Sequence, residues 1–299
     1  MNITITGGTG FIGRRLVRRL LAEGHSIHLL VRHANTGFGP DVQCSIWNAY
    51  TMEPAPESLA EADAVIHLAG ETVSQRWTPA AKRSIRDSRV DGTRLLVEAM
   101  SRLARRPSVL VCASAVGFYG SRGDDILTES APAGEGFLAE LCQSWEGTAD
   151  LAQKFGVRVV KLRSGMVLGK EGGALAQMLT PFQWGLGGPL ALGTQWVPWI
   201  HIEDLVELVL FALRKDGFKG PVNATSPNPV TNAELTNALS AVLHRPAVLT
   251  IPTFALHVLY GEMAEVLLGS QRAIPEAALK AGFEFRYPTL RLALQNLLS

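Results

Sequence analysis

The chain opens with a glycine-rich turn that leaves few choices of architecture. Residues 3–13 read I-T-I-T-G-G-T-G-F-I-G, a β-branched run that leads through four glycines into an apolar helical pattern. Glycines at this spacing let the backbone reverse tightly, admit a pyrophosphate and let the helix pack on its strand. The free N–H groups at the helix N-terminus favour a bound phosphate. The predicted dinucleotide contacts in the turn are Gly7, Gly10, Phe11, Ile12 and Gly13.

Strand-like runs and helical patterns alternate through the first half of the chain. Strands are predicted at 2–6, 26–31, 43–47, 63–68, 108–114 and 157–162. Helices are predicted at 11–23, 79–104 and 137–155, and Thr78 and Pro79 provide an N-cap and an N1 proline for the second. This alternation predicts an α/β fold with a Rossmann-type, doubly wound parallel sheet.

The pattern changes after Gly169, where glycines crowd together and helices no longer alternate cleanly with strands. We interpret residues 1–168 as a nucleotide-binding Rossmann domain. Residues 169–299 would form a smaller C-terminal substrate lobe, interleaved with the sheet. Because ligands of such sheets bind at the carboxyl ends of the strands, we expect the lobe to lie over that edge.

Composition narrows the classes of partner. Lys plus Arg (28) against Asp plus Glu (27) gives a net charge of +1, so no surface for nucleic acid is expected. Three cysteines far apart in sequence indicate a reducing compartment. No leader-like start and no long apolar run is present, so we expect a cytoplasmic protein without a membrane partner. No His, Cys or Asp spacing suggests a metal site.

Several motifs resemble those of the extended short-chain dehydrogenase/reductase superfamily, which includes nucleotide-sugar epimerases and dehydratases. They are the turn at 6–13, V-I-H-L-A-G at 65–70, R-V-D-G-T at 89–93, S-A-V-G-F-Y-G at 114–120 and W-I-H-I-E-D-L at 199–205. Three further motifs resemble a branch called epimerase family proteins: R-W-T at 76–78, G-L-G-G-P at 185–189 and G-S-Q-R-A-I-P at 269–275. The resemblance implies a C-terminal domain at about 247–295, and some members of the branch are linked to cell division.

The end of the second strand bears on which cofactor binds. Where an NAD-preferring protein has an acid for the ribose 2′-OH, this chain has Val31 and Arg32. An arginine there favours the 2′-phosphate of NADP(H), although it could be an ordinary solvated side chain. Arg89 could be a second cofactor contact or a solvated helix residue. The resemblance adds Val167 beside the nicotinamide, and small residues at the end of the fourth strand would let the cofactor pass: Leu68, Ala69 and Gly70.

The superfamily's catalytic tyrosine and lysine have no counterparts in the sequence. Alignment through Trp145 and Glu146 puts Phe137 and Leu141 at those positions, and no Y-x-x-x-K occurs in the chain. Neither side chain can transfer a proton. The remaining catalytic candidates are Ser114, at the family's serine position, and Tyr119, which could instead pack at the end of a strand.

Five other polar residues are expected near the cleft: Glu71, Arg76, Lys82, Lys161 and Arg163. Lys161 and Arg163 share one strand face, so at least one of them could point into the cofactor site; the alternative is an ion pair with a neighbouring carboxylate.

Two functions therefore remain open. The first is an atypical NADP(H)-binding oxidoreductase, epimerase-like and acting on a small, sugar-like substrate. The second is a cofactor-sensing regulator without turnover, linked to cell division.

Overall fold

The computed structural model describes residues 1–49 and 51–298. Its strands are β1 (Asn2–Thr6), β2 (Ser26–Val31), β3 (Gln43–Ile46), β4 (Ala64–His67), β5 (Val109–Ala115), β6 (Ile126–Leu127), β7 (Arg158–Ser164), β8 (Met166–Leu168), β9 (Trp196–Val197), β10 (Trp199–His201), β11 (Gly220–Ala224), β12 (Val230–Thr231) and β13 (Arg272–Ala273). Its α-helices are α1 (Phe11–Ala22), α2 (Pro79–Ser101), α3 (Phe137–Asp150), α4 (Gly173–Gln183), α5 (Ile202–Arg214), α6 (Asn232–Leu243), α7 (Thr253–Tyr260), α8 (Ala264–Leu268), α9 (Glu276–Lys280) and α10 (Leu290–Leu298).

Seven of the described strands form one parallel sheet in the order β11-β7-β5-β4-β1-β2-β3. The chain runs outward from β1 through β2 to β3, returns to β4, and then continues to the other edge. The predicted doubly wound sheet is thus confirmed. Its strand order reverses between β1 and β4, which is the crevice where such sheets bind their ligands.

Both faces of the sheet are covered because successive strand residues point to opposite sides. In β5, Val109 and Val111 belong to the core beneath α1 and α5, whereas Leu110 and Cys112 belong to the core beneath α2 and α3. The near-continuous apolar runs that predicted the strands follow from this two-sided burial.

Helix starts agree with the predictions more closely than helix ends. Thr78 caps α2 by accepting a hydrogen bond from the Ala81 N–H at 3.1 Å. The helix ends at Ser101 rather than at 104. After Asp150, α3 continues as a 3-10 turn over Leu151–Phe155, and Gly156 then adopts a left-handed conformation, with φ of +87°.

The second half of the chain contributes to the sheet and also builds a separate apolar core. Helix α5 packs on α1, and β11 pairs with β7 as an edge strand. Helices α4, α6 and α10 enclose their own core around Leu175, Leu239 and Leu294. The segment around α7 and α8 returns to the start of α2, where Glu262 forms an ion pair with Lys82. C-terminal residues therefore reach the carboxyl edge of the sheet.

Candidate functional site

The glycine turn joins β1 to α1, and each of its glycines has different surroundings. Gly7 has a φ of +72°, and a Cβ there would lie 2.7 Å from the Leu68 carbonyl carbon. A Cβ on Gly13 would lie 2.2 Å from the Gly7 oxygen, so this glycine is required for the helix to pack. A Cβ on Gly10 would meet only that same oxygen, at 3.4 Å, and otherwise open space. The open side of the turn lies at a helix N-terminus, which suits a phosphate group.

The ends of β1 and β4 are tied together by a buried hydrogen-bonded group. Thr6 Oγ1 accepts from the Ala69 N–H at 3.1 Å and hydrogen-bonds with His67 Nδ1 at 2.7 Å. His67 Nε2 reaches Thr93 Oγ1 at 3.0 Å. Burial lowers the pKa of His67 to about 4, so the ring is neutral at physiological pH. This group holds Leu68 and Ala69 against Gly7 of the glycine turn.

Arg89 is fixed beside the end of β4. Its Nη1 donates to the carbonyl oxygens of Glu71 at 2.8 Å and Ile85 at 3.2 Å, and its guanidinium lies 5.2 Å from the Trp145 ring. A Cβ on Gly70 would lie 3.0 Å from Arg89 Cζ. Arg89 is therefore a half-buried, positioned cation rather than a solvated helix residue. Its contact with a cofactor stays a prediction.

Arg32 directly follows the buried Val31 at the end of β2, and its side chain is exposed. Within residues 1–49 and 51–298 the structure gives its guanidinium no hydrogen bond or ion pair. A second cation, Arg14, lies between the glycine turn and the segment after β2: its Nε donates to the Thr9 carbonyl at 2.9 Å, and its guanidinium lies 5.7 Å from the Phe38 ring. Sequence reasoning did not single out Arg14, although its place one residue after Gly13 was a usable signal.

Val167 lies in β8, which pairs with β10, and it is half-buried. The glycines that follow it pack closely against Phe11, since a Cβ on Gly169 or Gly172 would lie within 2.7 Å of the Phe11 ring. The loop after β8 therefore lies directly over the start of α1. Its approach to a nicotinamide stays a prediction.

Phe137 and Leu141 lie in the first two turns of α3, in an apolar cluster. The Phe137 ring meets Trp77 edge-on, with centroids 5.0 Å apart, and Leu141 is buried beside Ile85. Lys82 lies above this cluster: its Nζ is 5.3 Å from the Phe137 ring centroid and 5.9 Å from that of Trp77. The ionisable group next to Phe137 is thus an ammonium, which Glu262 pairs from the C-terminal segment.

The two catalytic candidates belong to an internal polar network at the ends of β5 and β7. Ser114 Oγ donates to Glu146 Oε1 at 2.7 Å, and Arg163 donates to both Glu146 oxygens, at 2.8 and 2.9 Å. The Tyr119 hydroxyl donates to Asn223 Oδ1 at 2.7 Å and accepts from Arg163 at 3.0 Å. Tyr119 is fully buried, and this burial raises its pKa. The geometry favours the packing role for Tyr119 over the catalytic one.

Lys161 is also paired rather than free. Its Nζ lies 2.6 Å from Asp150 Oδ2 and 3.9 Å from Glu146 Oε2. Of the two alternatives for Lys161 and Arg163, the structure shows pairing with carboxylates. Sequence reasoning did not recognise Glu146 as their shared partner, because only the packing of α3 on β7 brings these residues together.

The described part of the chain, residues 1–49 and 51–298, contains neither a cluster of metal-ligand side chains nor a membrane-spanning helix. No group of three or more His, Cys, Asp or Glu residues is placed to hold a metal ion there. No helix in those residues is long and apolar enough to cross a membrane. The three cysteines are free, Cys44 exposed and Cys112 and Cys142 buried.

Comparison with known proteins relates the chain to two family models. The NAD dependent epimerase/dehydratase family matches residues 3–224, and a domain of unknown function, DUF1731, matches residues 251–297. The chloroplastic epimerase family protein SDR39U1 homolog of Arabidopsis thaliana is 43% identical over 302 residues, covering 100% of this chain and 87% of that protein.

Two solved structures are similar over the whole chain. The crystal structure of human epimerase family protein SDR39U1 (isoform 2) with NADPH has a TM-score of 0.89 and 33% identity, and the match covers 100% of this chain and 99% of the human one. A nucleoside-diphosphate sugar epimerase from Corynebacterium glutamicum has a TM-score of 0.81 and 35% identity, covering 100% of this chain and 58% of that one.

Proposed function

The chain belongs to the NAD dependent epimerase/dehydratase family, and from that premise we propose that it is an NADP(H)-dependent oxidoreductase whose proton donor is Lys82. The observation that carries the cofactor assignment is the open side of Gly10 together with the exposed Arg32, for which the described residues supply no partner. The human relative crystallised with NADPH supports the same assignment.

The residues present fit a dinucleotide phosphate. The glycine turn presents helix N–H groups to the pyrophosphate, and Arg32 offers a planar charged fork to the 2′-phosphate. Phe11, Ile12 and Gly13 form the first turn of α1 beneath it. Leu68, Ala69 and Gly70 line the crevice between β1 and β4, with Arg89 behind them. When bound, the cofactor supplies or accepts a hydride.

What the chain must add is a proton for the substrate oxygen. Phe137 and Leu141 have none to give, and the hydroxyls of Ser114 and Tyr119 donate to Glu146 and Asn223. Lys82 lies over the rings of Trp77 and Phe137, where an ammonium N–H could reach a carbonyl oxygen. Its partner Glu262 has a side chain that is 63% exposed, so a spent proton can be replaced from solvent.

The substrate class rests on relatives rather than on this chain's contacts. The Corynebacterium relative is described as a nucleoside-diphosphate sugar epimerase, which supports a sugar-like carbonyl or alcohol. The cytoplasmic location expected from the sequence stays a prediction, and the Arabidopsis relative is described as chloroplastic.

A regulator without turnover is the second candidate. It is favoured by the burial of Leu141 and by the internal bonding of Ser114 and Tyr119. In that case the Lys82–Glu262 ion pair has only a structural role, in which it stabilises the contact of the C-terminal segment with α2.

The test measures NADPH binding and NADPH oxidation in the same preparations. Wild type, Lys82→Met and Lys82→Arg are titrated with NADPH by fluorescence and then mixed with a panel of aldoses, ketoses and aromatic ketones. We expect wild type to oxidise NADPH with at least one carbonyl, and Lys82→Met to be slower by about a hundredfold or more at unchanged NADPH affinity. Tight NADPH binding without oxidation across the panel would establish the regulator. Full activity in Lys82→Met would remove Lys82 from the chemistry.

A further inference from the structure

Three motifs of the chain lie around one C-terminal segment. They are R-W-T at 76–78, G-L-G-G-P at 185–189 and G-S-Q-R-A-I-P at 269–275. The first packs against residues 252–268, the second pairs with the residues just before them, and the third directly follows them. Residues 252–268 contain α7, a 3-10 turn over Gly261–Met263, and α8. We refer to them as segment 252–268.

Both ends of this segment are anchored by hydrogen bonds. Before it, the Ile251 N–H donates to the Pro189 carbonyl at 3.0 Å, and the Ala191 N–H donates to the Ile251 carbonyl at 2.9 Å. After it, the Ser270 N–H donates to Ser121 Oγ at 3.1 Å. A segment held at both ends can move away from the rest of the molecule only in its middle, so the contacts of the middle decide whether it moves.

Polar contacts hold the middle of the segment to residues at and just before the start of α2. Arg76 Nη1 donates to the Val258 carbonyl at 3.3 Å, and Lys82 forms an ion pair with Glu262. Arg76 is exposed, and the Glu262 side chain is 63% exposed. Exposed ion pairs are screened by water and salt and contribute little to stability. These contacts therefore position the segment without holding it firmly.

The same part of the segment fills the space beside the start of α3. Met263 is buried, and it packs with Leu267 in one apolar cluster that also contains Trp77, Phe137 and Leu141. The alignment through α3 puts Phe137 and Leu141 at the positions of the superfamily's tyrosine and lysine. The chain's own C-terminal residues thus occupy the place where a substrate would meet those positions.

Helix α7 has few contacts that would keep it in place. Of its eight side chains, all within the described residues, only Leu256 is buried, whereas Phe254, Val258 and Leu259 are 72%, 69% and 63% exposed. A helix of this length is unstable by itself in water. Elements with few buried apolar contacts open locally at low free-energy cost. Gly261, with a φ of +61°, joins α7 to the 3-10 turn and can absorb a change in chain direction.

We propose that segment 252–268 is an autoinhibitory lid, seen here in its closed position. When the lid is closed, the Glu262 carboxylate binds the Lys82 ammonium, and Met263 lies in the cluster around Phe137. A carbonyl substrate that reaches Lys82 over these rings must displace both side chains, so the lid competes with the substrate. This competition rests on the proposed role of Lys82 as proton donor. The opening of the lid does not rest on it and is measured separately.

Hydrogen–deuterium exchange of the full-length protein measures the opening. We expect the amides of residues 253–268 to exchange faster than those of β5 in the wild type, because the lid opens without unfolding the sheet. Met263→Ala removes an apolar contact of the closed lid and should speed that exchange by about thirtyfold or more. Glu262→Gln removes the ion pair and should speed it about threefold. Glu265→Gln is the matched control: its ion-pair partner His257 lies within the lid, so it should exchange like wild type.

The kinetics of NADPH oxidation test the competition. With the carbonyl of the panel that wild type reduces fastest, Glu262→Gln should lower the carbonyl KM about threefold at unchanged NADPH affinity, because no carboxylate then competes for Lys82. Glu265→Gln should leave that KM unchanged. An unchanged KM in a Glu262→Gln protein whose lid exchanges faster would overturn the autoinhibition.

Two results of the exchange experiment would overturn the lid itself. One is protection of residues 253–268 as strong as that of β5, and the other is equal exchange in Glu262→Gln and Glu265→Gln. Faster lid exchange in Glu262→Gln and Met263→Ala, in a protein that oxidises NADPH with no carbonyl, would support the lid and remove Lys82 from the chemistry. Failure of the lid and failure of the proposed oxidoreductase are therefore distinguishable.

Discussion

Two neighbouring regions at the carboxyl edge of the sheet differ in how far their polar groups are satisfied. At the ends of β1 and β2, Gly10 faces open space, and the described residues offer Arg32 no partner. At the ends of β5 and β7, hydrogen bonds to Glu146 or Asn223 are made by Ser114, Tyr119 and Arg163. The first region has a backbone turn and a cation available to a ligand, whereas the polar side chains of the second region hydrogen-bond with one another. Substitutions should therefore separate binding from stability.

The largest effect is expected at Gly10. Its φ of −77° and ψ of 178° suit any residue, so Gly10→Val should fold and yet lose NADPH binding, because the side chain fills the space for the pyrophosphate. Gly13→Val is the matched contrast: its Cβ would overlap the Gly7 oxygen, so the loss should appear in stability. Circular dichroism and NADPH titration of both variants check this. Normal NADPH affinity in a folded Gly10→Val would show that the phosphates lie elsewhere.

Substitutions in the polar network at the ends of β5 and β7 should change the stability of the protein but not its NADPH affinity. Glu146→Ala leaves Arg163 buried without its carboxylate, which should lower the free energy of unfolding by about 3–5 kcal/mol. Glu140→Ala, on the exposed side of the same helix, is the control and should change little. Urea unfolding gives the difference. If the folded Glu146→Ala protein bound NADPH much more weakly, the conclusion that the two regions serve stability and binding separately would be wrong.

Low pH should lower the free energy of unfolding through protonation of His67, which lies buried at the ends of β1 and β4. Its pKa of about 4 in the folded protein lies below its unfolded value of about 6.5, so its contribution is fully present above pH 6.5 and is lost as the pH falls towards 4. The loss amounts to about 3 kcal/mol. His67→Gln should show a shallower fall in unfolding free energy over this range, while His33→Gln, at an exposed position, should follow wild type. Equal slopes in all three proteins would contradict a buried neutral His67.

The smallest effect is expected at Arg32. A hydrogen bond to a charged group is worth roughly 1.5–3 kcal/mol, so Arg32→Ala should weaken NADPH binding about tenfold or more and leave NADH binding unchanged. Arg18→Ala removes an exposed arginine from α1 and serves as the control. Isothermal titration with both cofactors measures the effect. Equal wild-type affinity for NADPH and NADH would defeat the assignment of Arg32.

Sequence reasoning succeeded where the determining contacts are local. The six predicted strands were visible as apolar runs, and the glycine turn was visible as spacing. The seventh strand, β11, escaped because its sequence G-P-V-N-A has no such run; Pro221 is tolerated because the strand lies at the edge of the sheet.

In the candidate site too, local features could be predicted from the sequence and contacts between distant residues could not. The open side of Gly10 follows from the local turn. The partners of Tyr119 and Lys82 do not, because Asn223 and Glu262 are 104 and 180 residues away in sequence. Only packing brings such pairs together, so Tyr119 could be read from its motif as a free hydroxyl.

The late position of α5 and β11 in the chain has a consequence for synthesis. One face of the sheet is covered by α1 and α5, and the outer edge of β7 is paired by β11. A nascent chain that has emerged only to residue 168 would leave apolar side chains such as Val160 and Leu162 partly uncovered and one strand edge open. Folding of these first 168 residues must then wait for about 55 further residues, several seconds of translation. During that interval the growing chain is most exposed to aggregation and to chaperones.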